Sequence, residues 1–194
     1  MLNNKFSKGV IFSCIAAIFW GLPQPLFFNE LNHVETIEVV AHRGFWSFIF
    51  LFLLLILISN ISDFIEIFKS RKRIFILTIT AFLIAGNWAG FIYSVGQERV
   101  QDASMGYFIT PMISIVLGYF FLNEKITKPK FASVCFMLSG ILFLFINLNQ
   151  FPFLIIWIGT SWAIYGLLRK QVNVNPSIGL LYETFIISLI SIPY

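Results

Sequence analysis

Seven apolar stretches, each close to the length of a membrane-spanning helix, make up most of this 194-residue chain. A helix of about 20 apolar residues crosses a hydrocarbon layer of about 30 Å, and backbone groups in lipid must be hydrogen-bonded within the chain. Only 11% of the residues are charged and 58% are hydrophobic, which excludes an ordinary soluble domain. The expected fold is an all-α polytopic transmembrane bundle. Its seven spans are predicted at residues 9–28, 38–59, 74–95, 103–122, 131–146, 153–168 and 177–194.

Basic residues alternate between the connections in a way that predicts the orientation. Lys and Arg near span ends stay on the cytoplasmic side of the membrane. Arg99 is in a connection on one side and Arg43 is inside a span, whereas the other eleven of the 13 basic residues are all on the opposite side. These eleven are Lys5, Lys8, Lys69, Arg71, Lys72, Arg73, Lys125, Lys128, Lys130, Arg169 and Lys170. The N-terminus is therefore predicted to be cytoplasmic. No connection is long enough to form a nucleic-acid-binding surface.

Residues that could hold a metal or perform catalysis are sparse. His33 and His42 are nine positions apart, which does not place two ligands on one helical face as an i, i+4 spacing would. Cys14 and Cys135 occur singly within spans, where they are expected to pack as small apolar residues. The sequence contains neither a nucleophile elbow nor a zinc-protease helix motif. We expect no enzyme activity, no metal and no cofactor.

Arg43 and Glu183 are the most deeply placed charges within the predicted spans. A charge at mid-bilayer costs about 2.5–3.5 kcal/mol even on insertion scales. Two interpretations are open. Each side chain could extend to the lipid headgroups, or the two could face a water-filled cavity and pair with each other. Glu183 and His42 are the candidates for a coupling proton, because burial can move the pKa of such groups toward neutrality.

Small and uncharged polar residues recur at helical spacing in the other spans. Gly86 and Gly90 are four positions apart and so lie on one face of a helix, and small residues at this spacing predict a close helix–helix contact. Gln24, Asn87 and Tyr107 carry amide or phenol groups, which need a hydrogen-bond partner when they are buried. We therefore expect these three side chains to face a cavity or each other.

A weak internal repeat relates the first two spans to the last two. The segment AHRGF at residues 41–45 aligns with LYETF at 181–185, so that Arg43 takes the position equivalent to Glu183. Five spans separate the two copies, an odd number, and the second copy would therefore run inverted through the membrane. Opposite charges in symmetric places are what a carrier with a site between two repeats would show.

Several multi-residue motifs point to one family. They are AHRGFWS at 41–47, Asn87-Trp88 followed by Tyr93, ASMGYFITP at 103–111 followed by Gly118, Leu122 with Glu124, and YGLLRK at 165–170. Together they resemble the RarD-like branch of the EamA family, in the drug/metabolite transporter superfamily, although Thr110 stands where that family more often has Asn. The resemblance implies ten helices in two inverted five-helix repeats around a central cavity. It also implies a bacterial inner-membrane permease, of a kind often labelled a chloramphenicol-sensitivity protein.

This resemblance sets the expected organisation of the chain. Residues 1–148 would form the first EamA-type repeat, and residues 149–194 the first two helices of a truncated second repeat. Seven spans of a ten-helix plan indicate a fragment or a truncated gene product. The expected partners are the lipid bilayer, a small-molecule substrate, protons as a coupling ion and a second copy of the chain in a homo-oligomer.

The function implied is secondary-active transport of a small amphipathic metabolite or drug by alternating access, with import and export both open. A non-transporting membrane scaffold or sensor subunit is the alternative. Aromatic faces would hold apolar parts of the substrate, and Arg43 could bind a carboxylate. The predicted substrate-binding residues are Trp20, Gln24, His42, Arg43, Trp46, Asn87, Trp88, Tyr107, Thr110, Trp162, Tyr165 and Glu183.

Overall fold

The computed structural model describes residues 4–57, 61–146 and 151–192 of the chain. In these ranges the backbone forms helices and no strand. The helices are α1 (Asn4–Gly21), α2 (Pro23–Glu30), α3 (Thr36–Leu57), α4 (Ile61–Ile67), α5 (Arg71–Gly96), α6 (Val100–Leu122), α7 (Lys128–Ile146), α8 (Phe153–Val172) and α9 (Pro176–Ile190). The last residues of the predicted spans 38–59 and 177–194, and the predicted repeat boundary at 148–149, lie outside the described residues.

Proline and asparagine residues decide where several helices begin and end. The first predicted span is divided into α1 and α2 because Pro23, which lacks an N–H donor, starts a new helix. Pro176 starts α9 in the same way, and the Asn175 side chain caps that helix by accepting a 3.0 Å hydrogen bond from a backbone N–H. Asn123 and Asn173 end α6 and α8 in the left-handed region, with φ of 53° and 49°. The short helix α4 was not predicted from the sequence pattern.

Helix α5 is the centre of the bundle. It packs against α2, α3, α6, α8 and α9, while α3 also packs on α9 and α6 on α8. Helices α1 and α7 are peripheral, with α1 packed on α2 and α7 on α6. Large apolar side chains such as Phe12 and Phe136 are exposed there, as expected for helices that face lipid. Cys14 and Cys135 are also exposed on α1 and α7, so the prediction that they pack inside the protein is wrong for the described chain.

Two buried apolar clusters stabilise opposite ends of α3 and α5. The first joins the beginning of α3 to the end of α5, and includes Val39, Trp88 and Ile187. The second joins the end of α3 to the beginning of α5, and includes Leu55 and Leu77. The candidate cavity described below adjoins the first cluster.

Glycines allow the helices of the bundle to cross closely. The Gly86 and Gly90 positions on α5 lie against Trp157 of α8, where an added Cβ would come within 2.8 and 3.0 Å of the indole. The predicted helix–helix contact at this stripe is therefore confirmed. A Cβ at Gly159 of α8 would lie 2.7 Å from the backbone oxygen of Gly106 on α6. These two glycines thus set the separation of α6 and α8.

Four helical segments of the described chain are long and apolar enough to cross a bilayer. They are Ser7–Glu30, Thr36–Leu57, Arg71–Gly96 and Val100–Leu122. The shorter helix Pro176–Ile190 is also apolar. The described chain is thus an all-helical membrane bundle, as predicted. The count of seven spans and the ten-helix plan stay predictions.

Candidate functional site

A cavity of about 830 Å³ lies between the end of α1, helix α2 and the first half of α3. Five of the predicted site residues line it: Trp20, Gln24, His42, Arg43 and Trp46. The rest of its wall is mostly apolar and aromatic, and comprises Phe19, Pro23, Phe27, Phe28, Leu31, Val34, Glu38, Val39 and Ser47. A cavity of this size and lining suits a small amphipathic molecule.

A narrow recess, too tight to hold a water molecule, adjoins the cavity. Trp20, Gln24 and Arg43 line both the cavity and the recess. The recess ends against α5 and α6, where it is lined by Trp88, Phe91 and Tyr107. Seven of the twelve predicted site residues therefore line the cavity or the adjoining recess, five in the cavity and two in the recess alone.

Arg43 points its guanidinium into the bundle. Its Cζ atom lies 4.1 Å from the ring centroid of Trp88, a buried residue of α5, and 5.5 Å from that of Phe28. Attraction between a cation and the face of an indole ring strengthens where water is scarce. Because the side chain stacks on a core residue, this geometry favours a cavity-facing role for Arg43 over extension to the headgroups.

Asn87 is fully buried behind the recess and holds three helices together. Its Nδ2 donates hydrogen bonds to the backbone oxygen of Ile158, at 2.9 Å, and to Oγ of Ser161, at 3.0 Å, both on α8. Its Oδ1 accepts a 3.1 Å hydrogen bond from the Tyr107 hydroxyl on α6. The expectation that these amide and phenol groups need partners is confirmed, and the partners are protein groups. Asn87 therefore positions Tyr107 at the end of the recess.

Aromatic rings connect the recess to the interior of α8. The ring centroid of Trp20 lies 5.0 Å from that of Tyr107 and 5.7 Å from that of Trp162. Trp162 in turn stacks on Tyr165, with ring centroids 5.1 Å apart and an interplanar angle of 16°. Any molecule that displaces Trp20 would therefore disturb a packed chain of rings that ends at Tyr165.

Glu183 is fully buried beyond this chain of rings and does not line the cavity. Its carboxylate accepts hydrogen bonds from the hydroxyls of Thr80, at 2.6 Å, and Tyr165, at 3.0 Å. Nε of Arg169 lies 3.6 Å from Oε1 of Glu183. The prediction that Glu183 pairs with Arg43 is wrong, because Arg169 neutralises it instead.

The contact between Arg169 and Glu183 depends on the absence of a side chain at Gly179. An added Cβ at Gly179 would overlap the Arg169 guanidinium. Arg169 also donates a 3.0 Å hydrogen bond to the backbone oxygen of Pro176. The sequence patterns identified Arg169 as an orientation charge and as part of the YGLLRK motif, but not as a candidate site residue. Its i, i+4 spacing from Tyr165, which places both on one helical face, was the signal that could have found it.

Thr110 and Trp162 also lie behind the recess and line neither of these spaces. The Thr110 hydroxyl donates to the backbone oxygen of Gly106, at 3.2 Å, and lies 3.4 Å from that of Gly159. Thr110 therefore supports the crossing of α6 and α8. Contact with a substrate stays a prediction for the five predicted site residues outside the cavity that lie behind it: Asn87, Thr110, Trp162, Tyr165 and Glu183.

A polar cluster outside the membrane-spanning helices joins the end of α6 to the end of α8. Lys170 donates a 2.5 Å hydrogen bond to Oε1 of Glu124, and Nζ of Lys130 lies 3.9 Å from Oε2. The hydrogen bond and charge of Lys170, with a smaller contribution from Lys130, hold the pKa of the Glu124 carboxyl below its usual range. In the described ranges, no group of three or more His, Cys, Asp or Glu side chains could hold a metal ion.

Comparison with known families and proteins gives a consistent result. Residues 7–146 match the EamA-like transporter family. The chain belongs to this family. An "Uncharacterized transporter" of Vibrio cholerae is 33% identical over 91% of this chain and 58% of its own length. "Protein RarD" of Escherichia coli is also 33% identical, over 91% of this chain and 60% of its own length.

"Uncharacterized transporter YojE" of Bacillus subtilis is 30% identical over the whole of this chain and 66% of its own length. No solved structure matches the chain. The chain thus spans about 60% of the length of the curated relatives named first. Its membership of the RarD-like part of the EamA family, predicted from the motifs, is confirmed. Two of these three relatives are named as uncharacterized transporters, and this chain is a multi-pass membrane protein of the EamA-like family.

The EamA motifs of the sequence take different structural roles. The motif at residues 41–47 supplies the polar wall of the cavity, through His42, Arg43 and Ser47. Gly44, in the same motif, lies where α3 crosses α9, since an added Cβ would clash with Ile187. The motif at residues 103–111 packs α6 on α8. One family motif therefore forms the cavity wall, and the other fixes the bundle behind it.

Proposed function

We propose that this EamA-like chain carries the substrate cavity of a secondary-active permease for a small amphipathic metabolite or drug. The observation that supports the proposal most directly is the cavity of about 830 Å³, whose walls combine exposed aromatic faces with Arg43, Gln24 and His42. Aromatic faces hold apolar groups, and a few polar side chains fix the orientation of a bound molecule.

The proposed mechanism is alternating access. In the proposed orientation, with a cytoplasmic N-terminus in the inner membrane, the cavity is in the outer half of the bundle. The buried contacts of Glu183 join α5, α8 and α9 in the inner half. Opening toward the cytoplasm would then require these contacts to break, whereas His42 already lines the cavity. His42 is therefore the coupling-proton candidate reachable in this conformation, and Glu183 the one reachable after a conformational change.

The proposed organisation is that of two inverted repeats, residues 1–148 and 149–194, within the ten-helix plan of the family. Two observations support it. Helices α3 and α9 pack against each other. Arg43 and Glu183 each stand at the eighth position of their helix, counted from Thr36 and from Pro176. Equivalent positions that carry opposite charges are consistent with a substrate site between the repeats.

A flux assay tests the transport proposal. The 194-residue chain is reconstituted in liposomes, and uptake of radiolabelled chloramphenicol is measured with and without a pH gradient. This probe is chosen because a relative from Pseudomonas aeruginosa, 24% identical, is named "Chloramphenicol-sensitive protein RarD". We expect uptake above that of empty liposomes, strongly reduced by Arg43→Ala and by Glu183→Ala. Arg71→Ala, at an exposed position outside the cavity, is the matched control and should leave uptake unchanged.

Two results would contradict the proposal. Unchanged uptake in both Arg43→Ala and Glu183→Ala would reject the site assignment. Absence of uptake by the wild-type chain, for this probe and for the aromatic compounds used below, would favour the non-transporting scaffold or sensor.

Cysteine labelling tests the proposed orientation. Lys69 and Glu98 lie in connections at opposite ends of α5. Each is changed to Cys in a chain that lacks Cys14 and Cys135. In intact cells, a membrane-impermeant maleimide should label the cysteine at position 98 and leave the one at position 69 unlabelled until the cells are opened.

A further inference from the structure

Arg43 is a cation without an anionic partner in the described part of the chain. Ion pairs in the described ranges have a nitrogen–oxygen distance of 4.0 Å or less, and none of them includes Arg43. The rings of Trp88 and Phe28 are its described cation–π partners. A guanidinium that stacks on a ring through its face keeps the N–H groups at its edge available. Those N–H groups match the two oxygens of a carboxylate.

Gln24 brings an unsatisfied acceptor to the same space. Its Oε1 is buried and has no hydrogen-bond partner among the described residues. A buried acceptor without a partner is costly, so a ligand that donates an O–H or N–H here would gain affinity. Gln24 and Arg43 both line the cavity, and one small molecule bound there therefore lies beside both residues.

The wall around these two groups is flat and aromatic. Trp20, Phe27 and Trp46 are 38%, 60% and 61% exposed, and all three line the cavity. Such exposed ring faces favour a planar apolar body that stacks on them. The cavity therefore combines a guanidinium, a hydrogen-bond acceptor and a stacking surface.

We infer that the cavity binds aromatic monocarboxylates that carry a hydrogen-bond donor. The carboxylate binds Arg43, the donor hydrogen-bonds to Gln24, and the ring stacks on the aromatic wall that includes Trp20. This inference rests on the proposed function, because it names the substrate class of the same cavity.

Charge around the cavity selects this class over its neighbours. An aromatic cation would be repelled by Arg43 at close range, where little water screens the charges. A neutral aromatic such as chloramphenicol can accept hydrogen bonds from Arg43 through its oxygens but leaves the guanidinium charge unpaired, so it should bind more weakly than a carboxylate. Glu38, in the first turn of α3, adds a carboxylate to the cavity wall and disfavours a ligand with a second negative charge. One carboxylate on the ligand is therefore the best match.

A binding comparison on the wild-type chain tests the inference directly. The 194-residue chain is placed in lipid nanodiscs, and calorimetry measures its affinity for 4-hydroxybenzoate, 4-hydroxybenzamide and 4-hydroxybenzylamine. These compounds share a ring and a donor and differ in charge. We expect the acid to bind at least about tenfold more tightly than the amide, as a charge-assisted hydrogen bond would give, and the amine to bind most weakly. This comparison requires no variant to fold.

Variants assign the two ends of the ligand. Arg43→Ala should remove the preference for the acid over the amide, and Arg71→Ala should keep it. Gln24→Leu should remove the preference for 4-hydroxybenzoate over benzoate while it keeps the preference for acid over amide. Circular dichroism of each variant verifies that the helices have formed.

The outcomes separate this inference from the proposed function. Equal affinity of wild type for acid and amide would overturn the inference, and so would the absence of binding by all three compounds. Flux of the amide or the amine into liposomes would then still support a transporter. Selective binding of the acid without its flux would contradict the proposed function and leave the inference standing.

Discussion

The Glu183 carboxylate on α9 lies 3.6 Å from the Arg169 guanidinium on α8, and neither residue lines the cavity that contains Arg43. Thr80 and Tyr165 complete the coordination of Glu183 by hydrogen bonds from α5 and α8. Three helices therefore meet at one fully buried carboxylate. Its position predicts a structural contribution to stability that can be separated from the binding of a substrate.

Removal of one partner of the buried pair should be strongly destabilising. Glu183→Ala leaves the Arg169 charge largely buried without compensation, and we expect the free energy of unfolding to fall by about 3–5 kcal/mol. Unfolding by SDS in mixed micelles, followed by circular dichroism, measures the change. Glu66→Ala is the matched control, because Glu66 belongs to an exposed ion pair with Lys69 and should cost less than about 1 kcal/mol.

The double variant Arg169→Met, Glu183→Leu distinguishes a charge effect from a packing effect. Replacement of both charges by apolar side chains leaves no buried charge unpaired, so most of the lost stability should return. A double variant as unstable as Glu183→Ala alone would contradict this explanation.

The crossing of α6 and α8 should be sensitive to a single methyl group at Gly159. In Gly159→Ala the new Cβ would meet the backbone oxygen of Gly106, which cannot move aside as a side chain would. We expect a loss of about 1–3 kcal/mol in unfolding free energy, measured as for Glu183. Gly166, on the same helix, has no heavy atom within 4 Å of an added Cβ. Gly166→Ala should therefore be neutral or slightly stabilising, and equal losses at the two positions would reject the close crossing as the cause.

Much of this architecture could be predicted from the sequence, because lipid imposes simple rules on a chain. Apolar length predicted helices, although the span predicted at residues 9–28 is divided at Pro23 in the structure. His42 and Arg43, which belong to the motif at residues 41–47, line the cavity, and their contact with a substrate stays a prediction. These predictions depend on local composition and on spacing along one helix.

The pairing of charges could not be predicted in the same way. Arg43 and Glu183 are the most deeply placed charges of the predicted spans, and pairing of the two was one of the two interpretations left open by the sequence. Whether two side chains meet depends on the rotation of each helix about its axis, which is fixed by contacts such as that of Gly44 with Ile187. Arg169 of α8 reaches Glu183 of α9 because Gly179, also on α9, leaves space for it, and the pattern of one helix alone does not contain this two-helix relationship.

The cluster at the ends of α6 and α8 should depend on pH. Lys170 holds the pKa of Glu124 below its usual value of 4.5, so the stabilisation from this contact is present above that value. It is lost as the pH falls through the lower pKa of the folded state. Titration of ¹³C-labelled glutamate carboxyls by NMR measures this pKa. Lys170→Ala should raise it toward 4.5, whereas Lys72→Ala, at an exposed residue of α5, should leave it unchanged. Added salt should weaken the effect, because the cluster is partly exposed.

Asn87 and Tyr107 should behave as a coupled pair. Tyr107→Phe removes one hydrogen bond from the buried amide oxygen, and we expect a cost of about 1 kcal/mol in unfolding free energy. Asn87→Ala also removes the bonds to Ile158 and Ser161 and should cost more. In the Asn87→Ala background the Tyr107 hydroxyl has already lost its acceptor, so Tyr107→Phe should then be nearly neutral. A double-mutant cycle should give a coupling energy of at least about 0.5 kcal/mol, and additive effects would show that the 3.1 Å contact contributes no stability.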